Sequence, residues 1–76
     1  MNKSICVTQE NRTKYWYLND KLHREDGPAV EWDNGYKSWY LNNKRLNPEE
    51  TIKDFELANK HPELIEAMII YLVHES

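Results

Sequence analysis

The sequence predicts an α+β domain in which a four-stranded antiparallel β ribbon is followed by two C-terminal helices packed on it. Three observations lead to this fold class: an aromatic internal repeat, a hairpin turn within the repeated part, and a helical spacing of apolar residues after Asn47. A chain of 76 residues buries only about 60% of its unfolded surface. We therefore expect a single domain over residues 1–76.

An internal repeat dominates the first half of the chain. Residues 14–19, KYWYLN, return as residues 37–42, KSWYLN, so that Trp16 and Trp39 stand 23 positions apart. Self-similarity at a fixed period is typical of repeated supersecondary units. We therefore predict two copies of one β unit.

Each unit contains two predicted strands, because aromatic and β-branched residues favour strands. The four predicted strands cover residues 5–8, 15–18, 29–32 and 36–41. Asp33-Asn34-Gly35 joins the last two as a hairpin turn, since Asn and Gly accept positive φ. Turns are also predicted after the second strand of each unit, at residues 19–21 and 42–44.

Alternation along each strand separates two faces. Tryptophans and leucines fall on one face and are predicted to pack in the core: Trp16, Leu18, Trp39 and Leu41. Tyrosines fall on the other face, which tolerates water because each ring keeps a polar hydroxyl. The predicted partner-binding residues are these tyrosines with two arginines at the edge: Tyr15, Tyr17, Tyr36, Tyr40, Arg24 and Arg45.

Two helices are predicted after the repeat, over about residues 48–60 and 62–74. Asn47 can cap the first helix, Pro48 suits its first position, and Glu50 completes an arrangement similar to a capping box. A second proline interrupts the pattern before the last helix.

The last helix is apolar on more than one side. One interpretation is that one side packs on the tryptophan face and another side packs on the preceding helix. The alternative is that surplus apolar surface forms a homodimer or binds a partner. The contact residues would then be Met68, Ile69, Leu72 and Val73, and Ile69→Glu would give a soluble monomer.

Residues 22–29, LHREDGPA, followed by residues 39–42, WYLN, resemble a variant MORN repeat. Such repeats occur in many small bacterial and bacteriophage proteins. The resemblance implies two MORN-like units of stacked β-hairpins over residues 5–46, with residues 47–76 as a helical cap. It also implies a role as an interaction scaffold and suggests a phage-type accessory protein.

Charge is divided unevenly along the acidic chain. Residues 1–48 carry a net charge of +2 and residues 49–76 carry −5. The acidic helices would suit a basic protein partner or mimic nucleic-acid phosphates. Tyrosines interleaved with lysines would suit single-stranded nucleic acid, but the low positive charge makes this a weak candidate. No apolar run is long enough for a membrane span and the start is no secretory signal, so we expect a cytoplasmic protein without membrane contact.

No pattern of catalytic, metal-ligating or cofactor-binding residues stands out, so we predict no catalytic residue, no metal and no cofactor. The one cysteine and three dispersed histidines lack the spacing of a metal site. The only dense polar cluster is residues 23–26, HRED. We interpret it as a structural loop in which Asp26 caps the turn and Arg24 pairs with a carboxylate. The alternative is an enzyme acting through His23 and Glu25.

These observations together predict a non-catalytic protein-binding module. The resemblance suggests that it binds and inhibits, or otherwise modulates, a bacterial enzyme or defence complex. One alternative is a self-associating structural protein that dimerises through its last helix. Another is an acidic nucleic-acid mimic or a binder of single-stranded nucleic acid. Capture of a partner, oligomer mass and turnover separate these classes.

Overall fold

An antiparallel β-sheet forms the first part of the chain and three helices follow it, in a computed structural model that describes residues 3–75. The strands are β1 (Ile5–Thr8), β2 (Lys14–Leu18), β3 (Lys21–Leu22), β4 (Val30–Glu31), β5 (Lys37–Leu41) and β6 (Lys44–Leu46). The helices are α1 (Pro48–Thr51), α2 (Phe55–Lys60) and α3 (Pro62–Glu75). The predicted α+β class, with helices after an antiparallel sheet, is confirmed.

Each repeat forms three strands, β1–β3 and β4–β6, so the predicted number of four strands is wrong. The turn after the second strand of each repeat has two consecutive residues with positive φ. These are Asn19 and Asp20 at 51° and 62°, and Asn42 and Asn43 at 50° and 67°. This left-handed pair matches the twist of a tight hairpin, and the chain therefore returns as the short strands β3 and β6.

The sheet runs in the order β1-β2-β4-β5-β6, and β3 also pairs with β2. β3 and β4 share one edge of β2, where Tyr15 lies opposite Val30 and Tyr17 lies opposite Leu22. The two repeats are thus joined through β2 and β4 into one surface.

The predicted helix over residues 48–60 is divided into α1 and α2, which corrects the expected number of two helices. Asn47 caps α1 as predicted, and its Oδ1 accepts the Glu50 N–H at 3.2 Å. Asp54 forms a second cap, and its Oδ1 accepts the Leu57 N–H at 3.1 Å. A residue at an N-cap has non-helical backbone angles, so the helix cannot run through Asp54.

The apolar core lies between the second repeat and α3. Trp39 and Leu46 of the sheet are buried with Leu64 and Met68 of α3. Leu41 packs against this cluster, which confirms that the tryptophan face of the second repeat points to the core. Among residues 3–75, none of the helices combines the length and apolar content needed to cross a lipid bilayer.

Candidate functional site

The strand register shows which side chains share the face opposite the helices. Directly opposed residues of antiparallel strands point to the same side of a sheet. Tyr15 lies opposite both Val7 and Val30, and Tyr40 lies opposite Arg45. We define the tyrosine face by the strand residues that the register places on this side: Ile5, Val7, Tyr15, Tyr17, Leu22, Val30, Ser38, Tyr40 and Arg45.

The tyrosine face is largely aromatic and aliphatic, and it is open except at Val30 and Ser38, which are buried. The Tyr15 and Tyr17 rings stack with their centroids 6.2 Å apart and their planes 25° from each other. Both rings and Tyr40 are half-buried, while Ile5 is 69% exposed. Tyr36 immediately precedes β5 and is 65% exposed, and we count it with the tyrosine face because strand alternation predicts it on the side of Ser38 and Tyr40. The helical core residues pack on the opposite side of the sheet, so these side chains are available to a partner.

Arg24, a predicted partner-binding residue, is instead occupied within the protein. Its Nε donates to Asp26 Oδ1 at 2.9 Å, and its Nη1 donates to the Pro28 carbonyl at 3.2 Å. Its Cζ lies 4.0 Å from the centroid of the Trp16 ring, within the range of a cation–π contact. A Cβ added at buried Gly27 would lie 2.8 Å from this Cζ, so a larger residue there would displace the guanidinium from its present position. The prediction that Arg24 pairs with a carboxylate is confirmed, whereas its guanidinium is not free to anchor a partner.

Arg45, the other arginine assigned to partner binding, is exposed on β6 beside Tyr40. The strand lysines lie on the other side of the sheet. Lys14 and Lys37 alternate with the tyrosines, and Lys21 and Lys44 lie opposite Leu18 and Leu41. The tyrosine face therefore has aromatic rings without a row of cations between them.

His23 holds the end of the first repeat against the turn of the second. It is 6% exposed, and its Nδ1 accepts the backbone N–H of Asn42 at 3.0 Å. The proton of the neutral ring is then on Nε2, which donates to Glu25 Oε2 at 2.9 Å. The Ser4 hydroxyl donates to the His23 carbonyl. His23 is thus a connector between two loops.

A cleft of about 390 Å³ lies next to this connector. Glu25 is half-exposed there, and its Oε1 lies 3.5 Å from His61 Nδ1. Both acidic and cationic side chains line the cleft, among them Lys3, Lys60 and Glu63. Within residues 3–75, no group of three His, Cys, Asp or Glu side chains is placed to hold a metal ion. The mixed charge favours no single class of ligand.

The last helix was predicted to contact a second copy or a partner through four residues. Some of these residues lie in the core and others lie at the surface. Met68 is fully buried against Trp39 and therefore cannot contact a partner, which corrects that assignment. Leu72 is half-buried. Ile69 and Val73 are exposed together with Ile70, on the outer side of α3.

No family model, curated protein or solved structure matches this chain. The similarity to MORN repeats and the role it implies therefore stay predictions.

Sequence reasoning missed the aliphatic members of the tyrosine face, Ile5, Val7, Leu22 and Val30, and one histidine contact. Ile5 and Val7 alternate with Cys6 and Thr8, so the alternation of the first predicted strand could have placed them with the tyrosines. No local pattern places His61 beside Glu25, because the two residues belong to different elements.

Proposed function

We propose that this chain is a non-catalytic protein-binding module that contacts its partner through the tyrosine face. The observation that supports the proposal is an exposed set of tyrosine and aliphatic side chains on the side of the sheet opposite the helical core. By its resemblance to MORN repeats, we extend the proposal to a phage-type accessory protein that inhibits or modulates a bacterial enzyme or defence complex.

The composition of the tyrosine face suits protein binding. A tyrosine supplies a large contact area while restricting few torsions, and aromatic residues and arginine are enriched among the residues that dominate binding energy. Tyr15 and Tyr17 lie on a paired strand, so less order has to be gained on binding. Arg45 adds a charged donor beside Tyr40.

Single-stranded nucleic acid is a weaker candidate for this face. Such sites combine stacking rings with cations that follow the phosphates. The strand lysines Lys14, Lys21, Lys37 and Lys44 lie on the opposite side of the sheet from the tyrosines. A strand of bases stacked on the tyrosine face would therefore find few cations. The charge of −5 over residues 49–76 would repel nucleic acid and steer a basic protein from a distance, although the helices lie on the other side of the sheet.

Tyr17→Ala and Tyr36→Ala are each expected to weaken partner binding by about 30-fold or more if these rings are anchors. The measurement is affinity capture from bacterial lysate, followed by titration of the captured protein in purified form. Lys44→Ala is the matched control, because Lys44 is exposed on the other side of the sheet, and it should leave binding unchanged.

Unfolding curves show whether a variant binds weakly because it lost a contact or because it lost its fold. Tyr36 is exposed, so Tyr36→Ala should keep the stability of the parent chain. If Tyr17→Ala and Tyr36→Ala bind as well as the parent chain, the tyrosine face is not the contact surface. If Tyr36→Ala unfolds, the ring belongs to the core and the assignment is wrong.

Self-association is the second candidate function. It is favoured by exposed apolar side chains that lie away from the core on the outer side of α3, namely Ile69, Ile70 and Val73. It is also favoured by the open edge of β1. The light-scattering mass of the chain, at 9.2 kDa per copy, tests this function directly.

A further inference from the structure

β1 is an edge strand, and no other strand within residues 3–75 pairs with its outer side. The neighbouring strand β2 shows which backbone groups of β1 are used. Trp16 donates its N–H to the Ala29 carbonyl at 2.8 Å and accepts the His23 N–H at 3.0 Å. Both backbone polar groups of Trp16 therefore point away from β1.

The hydrogen bonds of Trp16 determine which way the backbone N–H and C=O groups of β1 point. Antiparallel strands alternate between pairs that exchange hydrogen bonds and pairs that do not. Cys6 lies opposite Trp16, so these two residues exchange no backbone hydrogen bonds. Ile5 and Val7 form the backbone hydrogen bonds with β2. The N–H and C=O groups of Cys6 and Thr8 consequently point outward from the edge of the sheet.

This edge lacks most of the features that normally keep sheet edges from pairing. Natural edges are protected by charged side chains, proline, a bulge or a very short strand, and β1, with four residues, has only the last of these. Among the described residues, β1 pairs with β2 at four consecutive positions and carries no charge or proline over Ile5–Thr8. All four of its side chains are exposed. The edge is thus an open template for another neutral strand.

We infer that two copies of the chain pair through β1, antiparallel about a two-fold axis that passes beside Cys6. In this register Ile5 of each copy lies opposite Val7 of the other, which places apolar side chains together on the tyrosine face. Lys3 of each copy lies toward the turn that holds Glu10 of the other copy, so charges of opposite sign are brought near each other at both ends of the seam.

A second copy suits this edge because the two-fold pairing sets an apolar side chain against an apolar side chain, Ile5 against Val7, in both halves of the seam. The outward groups of Cys6 meet the same groups of the other Cys6, and those of Thr8 meet Ser4. The two-fold axis is perpendicular to the sheet, so the tyrosine faces of both copies lie on the same side and form one continuous surface. The inference rests on self-association, the second candidate function, and gives it a seam at β1 rather than at α3.

Thr8→Pro tests the seam because proline removes an N–H that points outward and leaves the bonds between β1 and β2 in place. The full chain under reducing conditions should scatter light as a dimer, with twice the mass of 9.2 kDa. Thr8→Pro should reduce this mass to that of a monomer. Thr8→Ala keeps the N–H and should remain a dimer, as should Ile69→Glu.

Cys6 supplies a second measurement that needs no substitution at the seam. It is the one cysteine of the chain and is exposed. A short bismaleimide should crosslink Cys6 to Cys6 in the parent chain and in Thr8→Ala. Near-UV circular dichroism of the tryptophans checks that Thr8→Pro is folded.

Three outcomes would overturn the inference, and they separate it from the second candidate function. A monomer mass of the parent chain at every soluble concentration removes self-association altogether. A dimer that survives Thr8→Pro but is lost in Ile69→Glu keeps self-association and moves its seam to α3. A dimer in which Cys6 does not crosslink excludes the pairing register that places the Cys6 residues of the two copies opposite each other.

Discussion

Replacing Trp39 by alanine is expected to lower the free energy of unfolding by about 3–5 kcal/mol. Trp39 is 2% exposed and packs with Leu46, Leu64 and Met68, and the Tyr71 ring meets it edge-on at 5.8 Å. The substitution leaves a cavity where sheet and helix meet. At about 0.05–0.15 kcal/mol per residue, a domain of this length has a total stability of roughly 4–11 kcal/mol. Trp39→Ala should therefore lose a large share of its stability, and a chain at the lower end of this range would be close to unfolded.

Urea unfolding followed by far-UV circular dichroism measures this loss. Trp32→Ala is the matched control, because it makes the same chemical change at a residue that is 40% exposed, and its effect should stay within about 1 kcal/mol. Trp39→Phe should be milder than Trp39→Ala. It keeps a large ring and removes an indole N–H that is buried with no hydrogen-bond acceptor among the described residues. Equal losses from Trp32→Ala and Trp39→Ala would contradict the position of the core.

His23→Ala is expected to destabilise the fold by about 1–3 kcal/mol from hydrogen bonding alone. The imidazole is the acceptor for the Asn42 N–H, at 3.0 Å, and it is buried. Alanine leaves that N–H without its acceptor and also leaves a cavity between the two repeats. Chemical unfolding of the purified variant gives the change in free energy.

Glu25→Gln distinguishes a structural His23 from a catalytic one. The Glu25 side chain is half-exposed and an amide still offers an oxygen to His23, so this variant should lie within about 0.5 kcal/mol of the parent chain. If His23 acts with Glu25 in catalysis, both variants would lose turnover while His23→Ala kept its stability. Native stability of His23→Ala would therefore contradict the connector role.

Local sequence signals account for much of the fold. The repeat predicts matching turns at residues 19–21 and 42–44, and the residue type and position of Asn47 predict a helix cap. The strands after these turns were missed, since β3 has only two residues and shows no alternation. Asp54, where the predicted helix is interrupted, is a residue type that caps helices. The apolar spacing continues across it, and the sequence therefore predicted one helix.

The candidate site was only partly predictable because it depends on which elements meet. Alternation along β2 and β5 was enough to place the tyrosines on one face. It could not show that Arg24 stacks on Trp16, nor that Met68 lies under Trp39, because these partners are distant in sequence. Strand alternation is a local property, whereas burial on a helix depends on the docking of the whole element.

The position of the core has a consequence for the order in which the chain opens. Every residue of the buried cluster, Trp39, Leu46, Leu64 and Met68, follows the first repeat in sequence. Regions with few buried apolar contacts exchange their amide hydrogens through small openings rather than global unfolding. We therefore expect β1–β3 to behave as a separate cooperative unit that detaches while the second repeat and α3 stay folded. A molecule that binds across both repeats would close this unit and slow its exchange.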